Sequence, residues 1–79
     1  MIVFQNENVL EVKGIRLKEN LFVQIDLFDI MGKQLNGKTV SVINETASVI
    51  FDVEDFAKGT YLVRIGNENF QKVVKVNIQ

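Results

Sequence analysis

Hydrophobic and polar residues alternate along most of this chain with a period of two, and glycine, asparagine and aspartate break the alternation at short intervals. Alternation of that kind buries every second side chain of an extended strand, whereas a helix needs apolar residues three and four positions apart. "VLEVK" sets Leu10 and Val12 on one face. "LFVQIDLFD" predicts the clearest strand, with Leu21, Val23, Ile25 and Leu27 inward, Gln24 and Asp26 toward solvent, and Phe22 and Phe28 covering an edge. "DIMGK" then predicts a tight hairpin, because Asp29 can accept hydrogen bonds from the backbone just ahead and Gly32 tolerates a positive φ. Asn36-Gly37 predicts a second two-residue turn, followed by a strand in "TVSVI" that aligns Val40 with Val42. In "SVIFDV" the residues Val49, Phe51 and Val53 face inward, and "EDFAKG" reads as one helical turn ended by Gly59. "TYLVRI" and "FQKVVKVNI" flank a "GNEN" turn, the first with Tyr61, Val63 and Ile65 on one face and the second with Val74, Val76 and Ile78 aligned.

These segments amount to about seven short strands of ~5 to 6 residues, which pack most economically as two antiparallel sheets. The class is all-β. At 79 residues the chain is one domain, residues 1–79, near the lower size limit for a core without disulfides or metal, so its 47% hydrophobic content must be well buried. Nine basic and ten acidic residues leave a net charge of −1, which argues against the concentrated basic face of a nucleic-acid binder, so no nucleic-acid partner is expected. The apolar runs are far shorter than the ~20 residues that span a bilayer, and "MIVFQNEN" lacks the pattern of a signal peptide. As written, the chain reads as soluble.

Histidine, cysteine, tryptophan and proline are absent, which removes most of the side chains that perform chemistry or grip metals. Asp52, Glu54 and Asp55 form the densest acidic cluster, but the spacing lacks the alternating oxygen ligands and central glycine of a calcium loop, and a solvated turn is the better reading. Ser41 and Ser48 lie in strand-like segments with no histidine to activate them. The glycines punctuate turns and never form a phosphate-cradling loop before a helix. "NET" at Asn44 is a formal glycosylation sequon, and an ordinary polar loop accounts for it. The residues therefore predict no enzyme, no cofactor, no metal and no small-molecule substrate. Lys72 and Lys75 fall on opposite faces of the final strand, either as guards of an edge against pairing or as a recognition feature.

Taken together, "VQIDLFDIMGKQL", "FDVEDFAKGTYLVRI" and "QKVVKVNIQ" resemble the type A C-terminal sorting domain of the type IX secretion system, also called the Por secretion system sorting domain. Asp29, Gly32 and Lys33 match that family's first turn. Asp52, Gly59 and Tyr61 match the block that ends in Gly-x-Tyr, and Lys72, Val73, Val74 and Lys75 match the closing basic strand. The family usually opens with an Asn-Pro segment, whereas this chain begins "MIVFQNENVLEVKG". The junction with a cargo is therefore expected to lie outside it, the chain being a piece of a larger exported protein.

The resemblance implies an immunoglobulin-like antiparallel β-sandwich that acts as a non-catalytic export signal for a cargo attached ahead of it. The implied partners are the outer-membrane type IX translocon and a sortase-like surface peptidase that removes the domain. The implied route runs through the periplasm to the cell surface or beyond, and the domain itself is expected as a monomer or a weak edge-paired dimer. On this view Gly59 reverses the chain and Tyr61 sets its ring against the core while its hydroxyl reaches nearby backbone, as in the tyrosine corner of immunoglobulin-like sandwiches. Two other readings remain open on the residues alone. One is a binding or adhesive surface module, for instance for carbohydrate, and the other is a spacer within a multidomain surface protein.

Overall fold

The period-two segments form seven strands in the computed structural model, which describes residues 1–18 and 20–79. They are β1 (Ile2–Asn6), β2 (Val9–Gly14), β3 (Phe22–Asp29), β4 (Gln34–Ser41), β5 (Ala47–Asp52), β6 (Gly59–Gly66) and β7 (Gln71–Ile78). One sheet has the order β1-β2-β5 and the other β4-β3-β6-β7, with every pairing antiparallel. The chain passes between sheets after β2, after β4 and after β5, and the remaining connections are hairpins within a sheet. This is an immunoglobulin-like β-sandwich.

The core is the sum of the two inner faces. Leu10 opposite Phe51 and Val12 opposite Val49 supply one side, and Ile25 opposite Ile65 and Leu27 opposite Val63 the other, all of them buried. Such opposed residues place their Cβ atoms ~5 Å apart on one face, and two faces of this kind interdigitate across ~10 Å. Val53 and Ile78, both buried, close the end at which β5 and β7 finish.

Several expectations are corrected. The sequence reading assigned no strand to the opening residues, yet Ile2–Asn6 pairs with β2 along its whole length. Asn36-Gly37 forms no turn. It lies within β4, because the hairpin is already closed upstream where the Asp29 N–H donates to the Lys33 carbonyl at 2.9 Å, and Gly37 stands opposite Asp26. "EDFAKG" forms no helical turn either, but a single β-turn in which the Phe56 N–H donates to Val53 O at 3.1 Å. There the Asp52 carboxylate accepts from the Glu54 N–H at 3.0 Å and the Tyr61 hydroxyl donates to the Ala57 carbonyl at 2.6 Å, using backbone groups a helix would have needed for its own ladder. Leu21 does not face inward. It precedes β3 and is 84% exposed, its carbonyl accepting from the Val42 N–H.

Candidate functional site

Two groups of the residues singled out by sequence occupy different parts of the sandwich. The first gathers where β3 and β5 end and β6 begins. Asp29 caps the β3–β4 hairpin, its Oδ1 accepting from the N–H groups of Met31 and Lys33 at 2.9 Å each, while the Gly32 N–H donates to Asp29 O at 3.1 Å. Gly32 adopts φ 89°, a left-handed conformation that a side chain would strain. The turn holds Ile30, Met31 and Lys33 out in solvent.

On β6, beside that turn, Tyr61 pairs in register with Asp29 of β3 and Val76 of β7. Its half-buried ring packs against the core and tilts at 43° to Phe56 with centroids 5.5 Å apart. The hydroxyl donates to Ala57 O four residues upstream, the geometry of a tyrosine corner. Gly59 opens β6 at φ 147°, again a region favourable to glycine. Asp29, Gly32, Lys33, Asp52, Gly59 and Tyr61 are thus brought to one end of the molecule, and the hydrogen bonds of Asp29, Asp52 and Tyr61 go to the backbone of chain reversals.

The second group is the closing strand. β7 pairs with β6 alone and so forms an edge of its sheet, with Lys72 opposite Ile65, Val73 opposite Arg64, Val74 opposite Val63 and Lys75 opposite Leu62. Val74 packs against the core, Val73 is 49% exposed, and both lysines are exposed. Among the described residues the one ion pair joins Arg64 to Asp26, so neither lysine has a carboxylate partner there.

Sequence reasoning missed two polar arrangements. Asp26, expected in solvent, is 2% exposed on the outer face of the sheet. Its Oδ1 accepts from the side-chain amides of Gln24 at 3.0 Å and Gln34 at 3.1 Å, and Oδ2 receives the Arg64 guanidinium at 2.8 Å. That guanidinium lies 4.8 Å over the Phe28 ring, which therefore sits within the sheet face and not at an edge. Gly37 makes the room, since a Cβ there would fall on Asp26 Oδ1 and Gln34 Nε2. The second arrangement links Gln5 of β1 to the last residue of the chain. Gln5 Oε1 accepts from the Gln79 N–H at 2.8 Å and Gln5 Nε2 donates to the Gln79 carbonyl at 2.9 Å. Above this bridge the edges of β1 and β7 part, leaving a groove of about 350 Å³ lined by Met1, Val3, Leu10, Val74, Lys75 and Val76 among others. Among the described residues no set of three carboxylates converges as a metal would require.

The secretion system C-terminal sorting domain family matches residues 6–79, which takes in β2 through β7 and leaves most of β1 outside. The chain belongs to that family. The sorting domains of this family serve the type IX secretion system, so this one carries an attached cargo toward the cell surface or the extracellular space by way of that machinery. No curated protein and no solved structure matches the chain. Within the sorting domain, the turn block lies at the end toward which β3, β5 and β7 run, and the closing strand is an open edge.

Proposed function

We propose that this sorting domain folds in the periplasm, is recognised by the outer-membrane type IX translocon, and is cut from its cargo at the surface by a sortase-like peptidase, catalysing nothing itself. The observation that carries the reading is the family match over residues 6–79. Supporting it, Asp29, Asp52 and Tyr61 direct their polar groups to backbone turns and not into a cleft. The domain serves as a shaped handle, and its motif residues act by maintaining that shape. Lys72, Val73, Val74 and Lys75 supply the part of the handle that stays open to a partner. A sugar-binding module is less well supported, because the outer face of the β1-β2-β5 sheet carries the single aromatic Phe4 between charged and aliphatic residues rather than a strip of rings.

The test is a folded reporter with a periplasmic targeting signal ahead and residues 1–79 behind it, expressed in cells that possess the type IX machinery. The proposal expects the reporter at the surface with the domain removed, read from its mass. Surface reporter that still carries the domain contradicts the cleavage step, and reporter held in the periplasm contradicts recognition.

A further inference from the structure

The Gln5 bridge has the form of one residue of an absent strand. A side-chain amide can both donate and accept, as a backbone residue does, and Gln5 does so on Gln79, its Oε1 accepting from the Gln79 N–H and its Nε2 divided between the Gln79 and Glu7 carbonyls. In an antiparallel ladder, alternate residues turn their N–H and C=O groups away from the neighbouring strand. The Asn67 N–H to Phe70 O bond that closes the β6–β7 hairpin sets this alternation, and residue pairs two apart from it, Ile65 with Lys72, Val63 with Val74 and Tyr61 with Val76, bond inward to β6. Val73, Lys75 and Asn77 therefore turn their backbone groups to the free edge, in phase with Gln79, and among the described residues no strand pairs with them there. Alongside this edge runs the groove walled by Met1, Val3 and Leu10 on one side and Val74 and Val76 on the other.

We infer that the free edge of β7 is a strand-acceptor site for an extended polypeptide segment that alternates apolar and acidic residues. A strand laid along residues 73–77 spans ~16 Å and completes the ladder that Gln5 begins. Its residues opposite Val74 and Val76 enter the groove, where Met1, Val3 and Leu10 stand beside the polar Gln5 and Asn77, and those opposite Val73 and Lys75 lie on the solvent face. Lys75, with no carboxylate partner among the described residues, fixes the sign of charge wanted there. A second copy of the chain fits poorly. If both cores stay on the same side, two β7 strands must pair in an even register, and every register centred on the open stretch either opposes the two Lys75 side chains or sets them diagonally adjacent. The inference rests on the sorting reading for its biological setting but not for its chemistry.

The test uses isotopically labelled domain, residues 1–79, and two capped seven-residue peptides, one alternating valine with glutamate and one valine with lysine, titrated at low salt. The glutamate peptide is expected to bind in the slower-exchanging form typical of strand pairing and to shift the amides of Val73, Lys75 and Asn77, with the lysine peptide about fivefold weaker. Lys75→Glu should invert that preference, and Val73→Pro, which removes an outward N–H without touching the β6 ladder, should abolish binding while circular dichroism shows the fold intact. Absence of binding by either peptide, equal binding that ignores Lys75→Glu, or self-association of the domain through β7 overturns the inference. Because binding is read on the isolated domain and sorting on a reporter in cells, binding without export sinks the sorting reading alone, and export without binding sinks this one alone.

Discussion

At the scale of single residues, Tyr61 combines a half-buried ring with a directed hydroxyl, and the two contributions separate by substitution. Tyr61→Phe should lose about 1 kcal/mol, the usual net worth of one hydrogen bond, and Tyr61→Ala about 3 to 5 kcal/mol, both measured by urea unfolding. Equal losses would mean that the hydroxyl, not the ring, holds the corner. Gly37→Ala should destabilise by about 1 to 3 kcal/mol, because its Cβ overlaps Asp26 and Gln34 and forces that cluster apart. Asp26→Ala should cost about 2 kcal/mol, below the ~3 to 5 of a fully buried pair since Arg64 is over a third exposed. Tyr61 was legible in the sequence, standing two residues beyond Gly59 at the head of an alternating strand. Asp26 was not, because strand phase tells which side a residue faces but not that Gln24, Gln34 and Arg64 will close over that side from neighbouring positions.

At the scale of elements, the strands with strong apolar alternation were legible and the ones with mixed faces were not. Val23, Ile25 and Leu27 in β3, and Val49 and Phe51 in β5, follow the period-two pattern into the core. β4 does not, being largely exposed, so the Asn36-Gly37 dipeptide looked like a turn when pairing with β3 had already fixed it in a strand. β1 has the same difficulty, since "IVFQN" exposes Ile2 and Phe4 and turns Gln5 toward the seam, where it finds its partners at the far end of the chain. The Asp29 turn was read correctly because its partners are local. Asp29→Ala should cost about 1 to 2 kcal/mol and speed amide exchange at Met31 and Lys33 while leaving that at β5 unchanged. Protection at Met31 and Lys33 equal to that of the unsubstituted domain would show that the turn holds itself without the carboxylate.

At the scale of the whole molecule, a sandwich of 79 residues has a total stability of about 4 to 12 kcal/mol, so a single corner residue commands a large part of it. Asp29, Gly32, Asp52, Gly59 and Tyr61 build chain reversals, and the edge of β7 is what the finished fold presents. This division predicts that Tyr61→Ala lowers export in proportion to the unfolded fraction, whereas Lys75→Glu leaves stability within about 0.5 kcal/mol and affects only recognition. The central claim is that residues 1–79 are sufficient as a type IX sorting signal. It is tested most directly by surface labelling of a folded reporter, targeted to the periplasm and carrying residues 1–79 at its C terminus, in cells with and without the type IX translocon. The account predicts surface reporter only when the translocon is present. Reporter that remains in the periplasm of translocon-bearing cells, with its domain shown to be folded, would contradict it.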